Sequence, residues 1–166
     1  NIGSQLSVVA EALGMKVIFY DMVERLALGN AVKKNSMKDV FAASDVVSLH
    51  VDDSPENVNL IGEKEFSQMK QGVTFINLAR GFVVDIPALA NALKSGKVSG
   101  AAVDVYPKEP KSNDEPFDSE LRGIPNVILT PHVGGSTMEA QVDIADFVPS
   151  QLMGYVNTGN SYGSVN

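Results

Sequence analysis

Five short apolar runs separated by helix-patterned stretches constrain this chain more than any other feature. They are Lys16-Val17-Ile18-Phe19-Tyr20, Asp45-Val46-Val47-Ser48-Leu49-His50, Val73-Thr74-Phe75-Ile76-Asn77-Leu78, Gly100 to Val105, and Val127 to Thr130. Each is short for a helix and nearly continuous in apolar residues, as strands inside a parallel sheet are. Before the first run, Leu6, Val9, Ala10 and Leu13 repeat at helical spacing, with Gly14 as a stop. A weaker extended piece lies around Ala31 and Val32, and Ser36 can cap a helix through Ala43. Asp52 to Pro55 reads as a turn, and Gly62 to Met69 as a short helix. Asp85 followed by Pro87 starts a helix that ends at Ser95 and Gly96. Ser136 and Glu139 have the spacing of a capping box for a final helix, which Pro149 is expected to kink or break. The tail from Asn157 is polar and reads as loose. This alternation predicts an α/β fold, a doubly wound parallel sheet with helices on both faces.

The 166 residues suffice for about one domain with its own core. There is no cysteine, so there is no disulfide framework and no thiolate metal site. No cluster has metal-ligand spacing, and no serine or cysteine nucleophile elbow is present. The net charge of −7 argues against a nucleic-acid surface. No apolar run is long enough to span a membrane, and no charged-then-apolar leader opens the chain, so it reads as cytoplasmic.

A dinucleotide-binding fold opens with a strand, a G-x-G-x-x-G turn and a helix. Here only Gly3 stands before the first helix. The expectation is a sheet truncated at its N-terminus, cut inside the phosphate-binding turn. It would lack the first strand, which lies mid-sheet, and the first two glycines.

Several residues fall at the carboxyl ends of the runs, where ligands bind in open α/β sheets. Gly3 at a helix N-terminus suits a pyrophosphate. Asp21 comes 18 residues later, close to the ~20 expected of a carboxylate holding a ribose 2′-hydroxyl, and it favours NAD over NADP. Arg80 follows Asn77-Leu78-Ala79, and a guanidinium grips a carboxylate through two parallel hydrogen bonds. Glu109 lies in a loop stiffened by Pro107 and Pro110, while Asp104 ends the strand before that loop. His132 sits between Pro131 and the pair Gly134-Gly135, which clear space around its ring, whereas His50 reads as a structural histidine. Arg80, Glu109 and His132 together supply what hydride transfer to a 2-oxo acid requires. These are a carboxylate grip, a carboxylate that tunes the imidazole, and an acid/base.

These residues resemble the D-isomer-specific 2-hydroxyacid dehydrogenase family over essentially the whole chain. The motifs that carry it are Asn77-Leu78-Ala79-Arg80-Gly81 with Val84-Asp85, Ala101 to Pro110, and Leu129 to Ser136. Leu28-Gly29-Asn30-Ala31, Asp114-Glu115-Pro116-Phe117 and Gly134-Gly135-Ser136-Thr137 are most similar to the branch that oxidises 3-phospho-D-glycerate in serine synthesis. The resemblance implies a Rossmann-like NAD domain and catalytic roles for Arg80, Glu109 and His132. It implies NAD contacts at Asn1, Ile2, Gly3, Asp21, Leu78, Ala79, Arg80, Asp104, His132, Val133, Gly134 and Gly135. Residues 1–135 would form an incomplete NAD-binding domain, and residues 136–166 a helix and tail leading back to a substrate domain. It also implies a homo-oligomer formed through this domain, and a polypeptide that does not turn over substrate by itself. Glyoxylate or 2-oxoglutarate reduction, or a non-catalytic NAD-sensing module, are the alternatives. Formate dehydrogenases carry glutamine where Glu109 stands, which disfavours that branch.

Overall fold

A computed structural model describes residues 2–112 and 114–161. The chain divides into two compact units, Asn1–Thr130 and Pro131–Asn166.

The first unit opens with helix α1, Ile2–Ala12, and Gly14 follows it in the left-handed region at φ 85°. Gly3 therefore lies inside the first turn rather than ahead of it. Strand β1, Ile18–Phe19, pairs in parallel with β2, Val32–Lys33, as a separate two-stranded ladder. Helix α2, Met37–Ala43, is capped by Ser36, whose hydroxyl accepts the Asp39 N–H at 3.1 Å. Strand β3, Val46–Leu49, leads through a 3-10 turn at Pro55–Asn57 to α3, Glu63–Gln68. Strand β4, Val73–Asn77, is followed by a second 3-10 turn, Gly81–Val83. Helix α4, Ile86–Lys94, has Asp85 as its cap, accepting the Ala88 N–H at 3.0 Å, with a proline in its first turn. Strands β5, Val98–Val103, and β6, Val127–Leu129, complete the unit.

Strands β3, β4, β5 and β6 pair in that order, all parallel. Parallel pairing puts all four carboxyl ends on one edge, which is what positions the site. The core gathers around Phe75, Leu89, Ile61 and Val103, all but completely buried. Phe66 meets Phe75 edge-on at 5.2 Å, a geometry that adds to the burial of both rings. On the alternate residues of the sheet, Thr74, Ile76 and Ala102 are half-buried and Ile128 is exposed. No hydrogen-bonded ladder joins β1–β2 to β3.

Several boundaries differ from the sequence expectation. The first strand is only Ile18–Phe19, because β2 offers it a two-residue partner. The run at Gly100 starts earlier, at Val98, and stops at Val103. Its pairing with β4 reaches back through a register shift between Val73 and Thr74, which periodicity does not reveal.

The second unit holds helix α5, Met138–Thr158. Its cap is Thr137, whose hydroxyl accepts the Ala140 N–H at 3.2 Å, and not Ser136. Ser136 instead closes a tight turn, its N–H donating to the Val133 carbonyl at 2.9 Å. The helix runs on through Pro149 without a break. Proline removes one intrahelical bond and crowds one carbonyl, a local cost of about 3 kcal/mol that the rest of a long helix can absorb. Asn157 and Thr158 belong to the helix, which ends at left-handed Gly159, φ 70°. Residues 162–166 of the expected loose tail lie outside the described residues.

Candidate active site

The carboxyl edge of the first unit is built chiefly from two loops. The loop after β4 is shaped by Asn77, the one fully buried polar side chain among the described residues. Its Oδ1 accepts the Ala79 N–H at 3.1 Å and its Nδ2 donates to the Arg80 carbonyl at 3.1 Å. A short amide thus replaces the strand ladder where the ladder stops, and sets the backbone of Arg80. The Arg80 side chain is exposed, with one guanidinium N–H donated to the Ala79 carbonyl at 2.8 Å. Leu78 is exposed and Ala79 buried.

The loop after β5 begins at Asp104, just past the strand, although its N–H still donates to the Asn77 carbonyl at 3.1 Å. Its carboxylate accepts a hydrogen bond from the Thr130 hydroxyl. Glu109 is exposed, and its carboxylate folds back to accept the Tyr106 N–H at 3.0 Å. The Tyr106 phenol lies 2.9 Å from the carbonyls of both Val103 and Thr130. Burial first, and then the charge of Asp104, push its pKa up, so it remains the proton donor to these oxygens.

Gly81 fastens the two loops together. A Cβ on it would lie 2.0 Å from the Tyr106 carbonyl carbon and 2.6 Å from the Pro107 nitrogen. Any side chain there forces the backbones apart.

At the other end of the site, the first turn of α1 stands against the edge of β3. A Cβ on Gly3 would sit 3.2 Å from the His50 ring. His50 Nε2 is 3.0 Å from the Ser48 hydroxyl, and partial burial pushes the imidazole pKa down. Asp21 follows β1 closely. Its carboxylate accepts the Val23 N–H at 3.0 Å and the Arg25 Nε–H at 3.3 Å. Helix-terminal amides reached over a glycine, with a carboxylate at a strand end, are the donor and acceptor set that a pyrophosphate and a ribose diol require.

His132, Val133, Gly134 and Gly135 belong to the second unit, where all four are exposed. His132 is left-handed, φ 54°, an unusual conformation for a residue other than glycine. Gln141 ties the following turn, donating to the Gly135 carbonyl at 2.6 Å. Ile2 is the exposed first residue of α1, while Asn1 lies outside the described residues.

The first unit thus brings Arg80, Asp104 and Glu109 into adjoining loops, with Gly3 and Asp21 on the amino-terminal segment. Sequence reasoning passed over Asn77, Tyr106 and Thr130. Asn77 left a signal, a polar residue closing an apolar strand, whereas the partners of Tyr106 and Thr130 are visible only in three dimensions.

Known proteins share this architecture. The Dictyostelium discoideum D-3-phosphoglycerate dehydrogenase is 53% identical over all of this chain and 41% of its own length. The Escherichia coli K12 D-3-phosphoglycerate dehydrogenase is 50% identical over all of this chain and 40% of its own length. The chain therefore spans about two fifths of the length of these relatives. The NAD-complexed D-isomer specific 2-hydroxyacid dehydrogenase of Lactobacillus delbrueckii ssp. bulgaricus superimposes with a TM-score of 0.83 at 30% identity. That match covers 99% of this chain and 53% of the other. Residues 1–134 match the family profile described as the NAD binding domain of D-isomer specific 2-hydroxyacid dehydrogenases. With more than half of its length matched, the chain belongs to the D-isomer specific 2-hydroxyacid dehydrogenase family, through its NAD-binding domain.

Proposed function

We propose that the protein oxidises 3-phospho-D-glycerate to 3-phosphooxypyruvate with NAD, the first step of L-serine biosynthesis. The observation that carries this reading is the identity of about half, across the whole chain, to D-3-phosphoglycerate dehydrogenases. The carboxyl edge supports it, because Arg80 and Glu109 stand in loops fastened to each other through Gly81.

NAD, when bound, supplies the hydride acceptor. Gly3 and the amides of the first α1 turn would hold its pyrophosphate, with Asn1 and Ile2 beside them, and Asp21 its ribose hydroxyls. Leu78, Ala79, Arg80 and Asp104, with His132 to Gly135, would line the remainder. Arg80 would grip the substrate carboxylate through paired N–H donors and orient the reacting carbon. His132 would take the hydroxyl proton as the hydride leaves and return it in the reverse direction. Glu109 would orient and tune that imidazole.

In this reading residues 1–135 form the NAD-binding part and residues 136–166 lead to the substrate side, in a cytoplasmic homo-oligomer. Among the described residues, no helix is long and apolar enough to cross a membrane.

The test is NAD reduction by the full-length protein, followed at the nicotinamide absorbance. The panel is 3-phospho-D-glycerate, D-2-hydroxyglutarate and glycolate. Highest kcat/KM on 3-phospho-D-glycerate is expected. Preference for either of the others would move the substrate within the family. NADH-dependent partner binding with no turnover on the panel would replace the enzyme by a sensing module.

A further inference from the structure

We propose that Tyr106 is a positioning residue for this site, one that holds the Arg80 loop, the Glu109 loop and the carboxyl end of β6 together although it carries no chemistry itself. The inference rests on the catalytic reading given above for Arg80, Glu109 and His132.

Three independent contacts converge on Tyr106. Its backbone N–H donates to the Glu109 carboxylate at 3.0 Å, which holds that side chain over its own loop. Its carbonyl lies against Gly81, directly after Arg80, with room for a hydrogen and nothing larger. Its phenol reaches the carbonyls of Val103 and Thr130, each at 2.9 Å. The Val103 carbonyl also accepts the Thr130 N–H at 3.0 Å, so the phenol reinforces the last pairing between β5 and β6. Thr130 is the last residue of the first unit, and His132 follows two residues later in the chain.

The ring is itself fixed. It packs edge-on against Phe117 at 4.6 Å, and burial keeps the phenol protonated. One hydroxyl proton serves two acceptors, so the group holds both carbonyls within reach without satisfying either alone. A site that depends on near-attack geometry is sensitive to small displacements of its supports. Loss of the hydroxyl should therefore appear in the chemical step, while Gly3 and Asp21, proposed to hold the pyrophosphate and ribose and not in contact with Tyr106, stay unaffected.

The decisive variant is Tyr106→Phe in the full-length protein, which keeps the ring and its packing. Expected are a kcat reduced roughly fivefold, with KM and the NADH dissociation constant within about twofold of wild type. Hydrogen–deuterium exchange at the Tyr106 and Thr130 amides should also quicken by roughly fivefold, with the melting temperature shifted little. Gly81→Ala, which pushes the Tyr106 carbonyl away, should lower kcat further and quicken the same amides. Should Gly81→Ala fail to fold, Tyr106→Phe decides alone. Wild-type turnover is measured first, and its absence on 3-phospho-D-glycerate counts against the proposed function. Exchange is read independently of turnover, so unchanged protection at Tyr106 and Thr130 overturns the positioning role in either case. With wild type active, an undiminished kcat in Tyr106→Phe also overturns it, as does a loss shared equally by kcat and NADH affinity.

Discussion

Asn77 holds the backbone of Arg80 from a position with no solvent access: its Nδ2 donates to the Arg80 carbonyl at 3.1 Å. The same side chain accepts the Ala79 N–H. Replacing it by alanine leaves a buried donor and acceptor without partners. The expected cost is about 1–3 kcal/mol of unfolding free energy in urea titration. Asn77→Asp keeps the acceptor for Ala79 but turns a second carboxylate oxygen toward the Arg80 carbonyl in a buried site, so it should cost at least as much stability as alanine and lower kcat/KM as well.

His132→Ala should lower kcat by roughly 10²- to 10⁴-fold, the range typical of a lost general acid/base. NADH should still bind, within about threefold of wild type by fluorescence titration, because most cofactor contacts are assigned elsewhere. Turnover near the wild-type rate would remove His132 from the assigned role.

Asp21 is the residue proposed to hold the ribose hydroxyls of the dinucleotide. Its carboxylate engages Arg25 at 3.3 Å, and Arg25 is well exposed. Asp21→Ser removes both the ribose acceptor and the repulsion toward a 2′-phosphate, and it frees a guanidinium beside the gap. The preference for NAD over NADP should shrink by roughly tenfold, read as the ratio of kcat/KM values, since one charged hydrogen bond is worth about that much. An unchanged ratio would place the ribose elsewhere.

His50 gives the fold a pH dependence of calculable sign. Burial lowers its pKa in the folded chain, so between the folded and unfolded values the unfolded chain binds more protons. Stability therefore rises with pH through that window, just below the ordinary histidine value of about 6.5, and is lowest beneath it. His50→Gln should flatten the fall in melting temperature between about pH 7 and pH 5. A fall of wild-type steepness in the variant would assign the dependence to another group.

Much of the architecture was legible because local signals agreed. Ser36 and Asp85 cap the helices whose starts they mark, and each apolar run overlaps a strand. What escaped was set by partners distant in sequence. Strand β5 begins at Val98 because β4 extends to meet it, so the glycine at 100 gave a misleading start. Thr137 rather than Ser136 caps α5, since either hydroxyl satisfies the local pattern and the turn at Val133 claims the amide of Ser136. Arg80 and Glu109 were readable as candidates from residue type and position. That a glycine and a tyrosine join their loops was not, because van der Waals contact between backbones leaves no compositional trace.

The common direction of β3 to β6 has a consequence for how such a domain can diverge. All the candidate chemistry of the first unit's sheet lies at the ends marked by Leu49, Asn77, Val103 and Leu129. The opposite rim carries the left-handed turns at Gly72 and Gly96, with open space around each glycine. Backbone bonds such as Gly72 N–H to the Lys97 carbonyl, 3.0 Å, tie that rim to itself. Those helix-to-strand turns have room for a side chain, but at φ 77° and 73° the backbone itself calls for glycine. A single added methyl at position 81, on the other rim, meets the carbonyl of residue 106. Constraint therefore takes a different form on each rim of one sheet: backbone conformation at the amino ends of the strands, and contact between backbones at the carboxyl ends.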